Sequence, residues 1–334
     1  MSSGVRGRHS SKPLGGHGRA TLAVVGVCLA AGILLASLAV HGSGSRPPAQ
    51  GAVATKTWAP AAGNPKAASV ASASAPVRAA GSPRAARPQQ DPFGLAAASY
   101  LSTRTGTVLA AIYDVSTGQT WRLGKGPPQD EASVVKLDVL ETLLAERNSN
   151  HTGLSASDRS LTQQMIEDSD NDAATSLWYE VGGPTRIRSF NTAAGLADTS
   201  PSSCVNCPGF PWPGWGLTTT TAADQLVLLR KLIEPSSLLT SAERSYALSL
   251  MENVTPSQRW GVSGGIPPQV TVAVKNGWLP LNGSGTDWQI NSVGWISGQG
   301  RNYLMAVLTT GNPTEQYGID TIDQVASIVW GHMK

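Results

Sequence analysis

Three short stretches hold residue types that could carry out acyl transfer. Ser133-Val134-Val135-Lys136 is the only S-x-x-K in the chain. At a helix start it sets a hydroxyl and an amine one turn apart on the same face. A neutral lysine beside a serine is a workable general base where no histidine is at hand. The helix N-terminus adds backbone N–H groups and a positive dipole for a developing oxyanion. Ser169-Asp170-Asn171 follows 36 residues later, and Lys275-Asn276-Gly277 closes an apolar run, Val270–Val274. Taken singly, each has a bland reading: a serine cap with a solvated lysine, a polar turn, and a solvated strand end. Their fixed order on helix, helix end and strand is much harder to obtain by chance.

Hydrophobic patterning supplies the elements that must position them. Thr107–Tyr113 and Gln119–Leu123 flank a Ser-Thr-Gly turn and form a hairpin. Helical spacing then dominates residues 133–255. It links Val134, Leu137, Leu140 and Leu144, then Leu161, Met165 and Ile166, then a helix with Leu177 and Trp178 that ends at Gly182-Gly183. A helix over Ala222–Ile233 follows the Thr218–Thr221 cluster, a fitting cap, and another starts near Ser241. Strands return at Val270–Val274, Trp288–Ile296 and Asn302–Thr309, before an amphipathic helix over Asp320–Trp330. Strands at both ends with helices between them predict an α+β domain, in which both ends build one antiparallel sheet packed against a helical block. The first hairpin alone could not bury its apolar face.

This ordered set resembles the penicillin-recognising serine enzymes, most closely the class A β-lactamases. The likeness spans about residues 93–334. It takes in the hairpin ahead of Ser133, Gly182-Gly183-Pro184, the Thr218–Thr221 cluster, Gln258-Arg259-Trp260-Gly261 and Leu304–Thr310. The resemblance implies that Ser133 is the acyl-accepting nucleophile and Lys136 its proton acceptor. Ser169 would relay a proton to the leaving nitrogen, and Asn171 would hold a substrate amide. Lys275 would set the field around Ser169 and attract a substrate carboxylate. The N–H groups of Ser133 and Trp278 would form the oxyanion hole, with the Ser133 hydroxyl lying between the amines of Lys136 and Lys275. Asn276 stands where the family has Thr or Ser, so its amide would donate to the carboxylate beside Gly277.

The family also needs a glutamate ahead of the threonine cluster to activate the deacylating water. Between Val181 and Ala223 the only acid is Asp198, which matches a structural aspartate of the family. The expected position reads Ser203-Cys204-Val205-Asn206-Cys207-Pro208. A β-lactam acyl-enzyme should therefore hydrolyse slowly. The interval from Ser133 to Ser169 is also shorter than is usual in the family, which would thin one cleft wall. In an exported chain, Cys204 and Cys207 read first as a local disulfide, with a redox dithiol as the other option. Trp212 and Trp215 in the same loop read as packing beneath it, with lining a cleft the alternative.

Composition bounds the rest. The chain has 334 residues, enough for one large domain with extras, and charged residues are 14% of it, below the roughly 25% usual for a soluble chain. Of 25 Lys and Arg, ten fall in residues 1–92 with one acid, Asp91; the remainder carries fifteen cations against 21 acids. Such an acidic domain is not a nucleic-acid binder. Only His151 and His332 lie beyond residue 92, and the chain has three cysteines. Neither a metal nor a cofactor is expected.

Arg6, Arg8, Lys12 and Arg19 precede an uncharged run from Ala20 to Val40, long enough to cross a hydrocarbon core of about 30 Å. Positive charge on its N-terminal side predicts a single-pass anchor with the C-terminal domain outside the cytoplasm. The competing reading is a cleaved signal peptide and a secreted product, with Ser37-Leu38-Ala39 as the cleavage region. Cys28, inside the apolar run, reads as a small hydrophobe. Residues 1–41 are thus a basic stub and anchor, 42–92 an Ala/Pro/Ser/Gly-rich disordered spacer, and 93–334 the folded domain. The expected activity is that of a monomeric, membrane-tethered serine hydrolase or acyltransferase. It would act on a small-molecule or peptide amide of the cell envelope, or on a β-lactam with poor turnover. An active β-lactamase with another base, a D,D-peptidase-like enzyme and a non-catalytic binding module are the alternatives.

Overall fold

The computed structural model describes residues 90–208, 212–282 and 284–333. The basic stub, the apolar run over residues 20–40 and nearly all of the spacer lie outside the described residues. Among those described, no helix is long and apolar enough to cross a membrane.

Five strands form one antiparallel sheet in the order β2-β1-β7-β6-β5. They are β1 (Thr107–Asp114), β2 (Thr120–Leu123), β5 (Thr271–Pro280), β6 (Trp288–Gly298) and β7 (Arg301–Asn312). Strand β1 pairs with β7 from Thr107↔Thr310 to Asp114↔Tyr303, so both ends of the domain build the sheet. Alternation explains why these strands are almost wholly apolar. Leu109, Ala111, Leu304, Ala306 and Leu308 face one cluster, which they share with the helical block, while Ala110, Ile112, Met305 and Val307 face another beneath the terminal helices. A sheet covered on both faces needs apolar side chains at every position.

The block on the first face holds α2 (Val135–Ser149), α3 (Ala156–Glu167), α4 (Asn171–Glu180), α5 (Gly183–Ala194), α6 (Ala222–Ile233) and α7 (Ser241–Glu252). Helices α1 (Gly94–Leu101) and α8 (Glu315–His332) cover the other face. A two-stranded ribbon, β3 (Gln129–Asp130) with β4 (Thr219–Thr220), joins the segment ahead of Ser133 to the threonine cluster. Thr221 caps α6 by accepting from Asp224 N–H.

The α+β architecture read from the sequence is the one observed, with local differences: helix α1 and the β3–β4 ribbon are additional, and α8 starts at Glu315 rather than Asp320. Strand β5 does not stop at Val274; it continues through Lys275-Asn276-Gly277-Trp278 to Pro280, paired with β6 throughout. Ladder pairing overrides the polar pattern there. Helix α5 was not visible in the sequence, because only Ile187, Phe190 and Ala194 among its larger apolar positions face the core. The folded part also begins slightly before residue 93. Asp91 accepts from Phe93 N–H, and His332 Nδ1 donates to Pro92 O at 2.9 Å.

Helix α2 carries an unusual load. Asp138 and Glu141 are fully buried on it, and Glu131 is fully buried just upstream. Asn191 Nδ2 donates to Asp138 Oδ2 at 2.9 Å, while no protein group bonds either carboxyl oxygen of Glu131 or Glu141. Burial pushes all three carboxyls up, Asp138 to about 7, and the Asp138 charge pushes Glu131 and Glu141 further. A carboxyl raised in the folded state holds its proton more tightly there than in the unfolded chain. Its stabilisation is therefore complete below the unfolded value near 4 and is lost as pH rises through the folded value. The expected outcome is a wild-type Tm that falls between pH 5 and 7. In Asp138→Asn that slope should be shallower by ~3 °C per pH unit, one proton's worth at about 1.4 kcal/mol. Equal slopes in differential scanning fluorimetry would show that Asp138 titrates normally.

Candidate active site

Ser133 sits in a 3-10 turn, Ala132–Val134, that runs directly into α2. Ala132 is left-handed, with φ 51°, a conformation that costs a non-glycine residue about 1–3 kcal/mol and persists only where its surroundings enforce it. They do so from two sides. Glu131 N–H donates to Thr218 O at 2.7 Å, and Asn291 Nδ2 on β6 donates to Asp130 O at 2.7 Å and Glu131 O at 3.0 Å.

Strand β5, at the edge of the sheet, then lies against the turn. A Cβ at Gly277 would stand 2.7 Å from Ser133 N and 2.8 Å from Glu131 O. Only glycine permits that approach, which is the physical reason for Gly277 two residues after Lys275. An edge strand presents unpaired backbone groups, and here that edge faces the Ser133 turn.

Lys136 lies one turn after Ser133 and is wholly buried. Its Nζ donates to Ser169 O at 2.5 Å, Ser169 Oγ at 3.1 Å and Asn171 Oδ1 at 2.7 Å. Lys275, 1% exposed, donates from Nζ to Ser169 Oγ at 2.9 Å and to Asn276 O at 2.9 Å. Ser169 reaches between them because its backbone is left-handed, φ 58°, ahead of α4, which Asp170 caps through Ala173 N–H.

Two expectations change in consequence. The hydroxyl held between the two amines is that of Ser169, not Ser133, whose side chain makes no hydrogen bond among the described residues. Ser133 lines the cleft, whereas the longer lysines converge on Ser169. Asn276 is buried, and its Nδ2 donates to Gln258 O at 2.7 Å and Trp260 O at 3.2 Å, so its amide is not directed at a ligand. Asp224 ties down the segment around Asp198, accepting from Ala197 N–H, Asp198 N–H and Thr199 Oγ1.

The amines are electrostatically primed. Burial, and then the charge of Lys275, pushes the Lys136 amine well below its usual range, with Asp170 offsetting part of this. Burial alone lowers Lys275 to about 7. Two ammonium groups sharing one hydroxyl disfavour double protonation. A neutral amine able to receive a proton is therefore accessible near neutral pH.

A cavity of about 480 Å³ opens beside Ser133 and Asn171. Its far wall is the loop in which Cys204 and Cys207 are joined as a disulfide, with their Cα atoms 5.7 Å apart. Gly214 fits against Cys207 Sγ where a Cβ would collide. Trp215 from this loop places its ring 5.1 Å from Lys136 Nζ, and both Trp212 and Trp215 line the cavity rather than only packing under the loop. Trp278 and Trp288, which the motif reading did not single out as aromatic walls, line the opposite side. No Asp or Glu is among the lining residues. Among the described residues, no cluster of three or more His, Cys, Asp or Glu could hold a metal ion.

The family model described as the beta-lactamase enzyme family matches residues 147–333. The chain belongs to that family. The match includes Ser169 and Lys275 and starts after Lys136. Putative lipoprotein LppW of Mycobacterium tuberculosis, like that of Mycobacterium bovis, is 28% identical over 207 residues, covering 60% of this chain and 62% of theirs. The chain thus spans under two thirds of the length of these curated relatives. Among solved structures, the TLA-1 extended spectrum β-lactamase superposes with a TM-score of 0.65 at 17% identity, over 73% of this chain and 99% of that one. A class A β-lactamase from Mycobacterium abscessus gives a TM-score of 0.56 at 22% identity, over 70% and 96%. A class A representative from Bacteroides cellulosilyticus gives 0.63 at 17%, over 72% and 96%. These likenesses show the fold, with its sheet, its helical block and its cleft between them.

The approach of β5 to the Ser133 turn can be tested by adding one methyl group. Gly277→Ala is expected to lower stability in urea unfolding by about 1–3 kcal/mol. Gly331→Ala, where an added Cβ meets nothing within 4 Å on helix α8, is expected to raise it by about 0.5–1 kcal/mol. Two changes of the same sign would contradict the contact geometry.

Proposed function

We propose that this chain is an exported, membrane-tethered serine hydrolase or acyltransferase working through an acyl-Ser133 intermediate. The observation that carries the reading is the pair of buried amines converging on Ser169, one of them, Lys136, a helical turn from Ser133, which lines an open cavity.

In the acylation step Ser133 Oγ attacks a carbonyl carbon, and its proton passes to the neutral amine of Lys136. The Oγ–C bond forms as the bond to the leaving nitrogen or oxygen breaks. Ser169, in contact with both lysines, hands a proton to the leaving atom. The backbone N–H groups of Ser133 and Trp278 hold the oxyanion, a role in which one donor is worth roughly 3 kcal/mol. Asn171 positions the substrate amide while its Oδ1 receives a hydrogen bond from Lys136. Water or an amine then takes the acyl group from Ser133. With no carboxylate among the described residues lining the cavity, a water at the acyl carbonyl lacks a carboxylate base of its own, so the adduct is long-lived.

The name of the relatives, putative lipoprotein, supports an envelope location. The apolar run over residues 20–40, which lies outside the described residues, supplies an anchor of spanning length.

A binding module that keeps the fold without turnover is the second reading, favoured by the lack of a hydrogen bond between Ser133 and Lys136. Intact-protein mass spectrometry after treatment with a fluorophosphonate separates the two. The expected result is one adduct on wild type, absent in Ser133→Ala and formed at least ~10²-fold more slowly in Lys136→Ala. The labelling rate should rise as pH passes through the lowered Lys136 value and level off well below pH 10. No adduct on wild type would leave the binding module.

A further inference from the structure

Resting on the acyl-serine reading, we infer that the cavity beside Ser133 selects a neutral substrate whose acyl part carries a flat aromatic group, and rejects one with a carboxylate next to the scissile bond.

The lining is aromatic on two sides. Trp212 and Trp215 form a tilted pair, with ring centroids 6.4 Å apart, on the disulfide loop; Trp278, backed by Trp260 at 6.1 Å, and Trp288 stand on the sheet side. Three of the four lining indoles already spend their N–H on the protein. Trp212 donates to Asp172, Trp215 to Thr175 and Trp288 to Gly285 O. Their ring faces are what remains for a ligand. Three prolines and two leucines complete most of the surface, leaving Ser133, Asn171 and Asn282 as its polar side chains. Offset or edge-to-face contact with a planar group is the favoured use of such walls.

The charge argument is independent of the aromatic one. No Lys, Arg or His is among the described residues lining this cavity. The two nearby amines are at most 1% exposed, and each is engaged by Ser169 and by a second acceptor. The Asn276 amide, the side-chain donor on β5 expected to meet a carboxylate, is turned towards Gln258 O and Trp260 O. A carboxylate moved from water into this space would lose its hydration and find no counter-charge. The selectivity therefore comes from what the cavity excludes as much as from what it contacts.

The test uses two esters with the same acyl group, phenyl phenylacetylglycinate and m-carboxyphenyl phenylacetylglycinate, and measures acylation of Ser133 in the full chain at pH 7 by mass spectrometry. The neutral ester is expected to acylate about tenfold faster or more. Trp288→Ala should raise its half-saturating concentration about tenfold with little change in the maximal rate. Leu281→Arg, which sets a cation at the cavity rim, should narrow the gap between the two esters. Equal rates, or a faster carboxylated ester, would overturn the inference.

Ser133→Ala separates this from the acyl-serine reading. With that variant, quenching of tryptophan fluorescence by neutral phenylacetylglycinamide should exceed that by phenylacetylglycine, whether or not any ester acylates the wild type. If no ester reacts but the amide quenches preferentially, the acyl-serine reading fails and the cavity assignment stands. Tighter binding of the carboxylate, or binding of neither ligand, would sink the cavity assignment.

Discussion

The site depends on one hydroxyl held by two buried amines. Ser169 Oγ accepts from Lys136 at 3.1 Å and from Lys275 at 2.9 Å, and those lysines come from the helical block and the sheet respectively. Each amine would be costly to bury alone. Brought together they cannot both keep their protons easily, so the arrangement converts a burial cost into a proton-accepting group. The same clasp fixes the cleft, because it ties α2 to β5 through the turn ahead of α4.

Backbone geometry around this clasp is over-determined. Ala132 and Ser169 both adopt left-handed conformations, and neither has glycine's freedom. The ribbon β3–β4, the side chain of Asn291 and the close face of Gly277 press on the first; Asp170 capping α4 holds the second. Strain stored at the Ser133 turn is thus supported from the sheet and from the threonine cluster.

The loop carrying the disulfide gives the site its character. It sets Trp215 beside Lys136 and both Trp212 and Trp215 against the cavity, which gives that wall an aromatic surface. The buried acids Glu131, Asp138 and Glu141 lie apart from it. Glu131 and Glu141 feel the Asp138 charge, and none of the three lines the cavity.

Much of this was legible in the sequence because it is local. Alternating and helical apolar spacing named the strands and most helices, the S-x-x-K pair followed from one helical turn, and the family likeness followed from the order of short motifs. The sequence could not say which hydroxyl the amines would clasp, since Lys136, Ser169 and Lys275 meet only after helix and sheet pack. Nor could it tell that Asn276 turns inward, that Asp224 holds the segment around Asp198, or that tryptophans from β5, β6 and the disulfide loop would share one cavity. Composition and periodicity act over a few residues and determine elements. Side-chain orientation, burial and the pKa shifts they bring are set by groups from 18 to 106 residues apart, on different elements, so tertiary packing alone decided them.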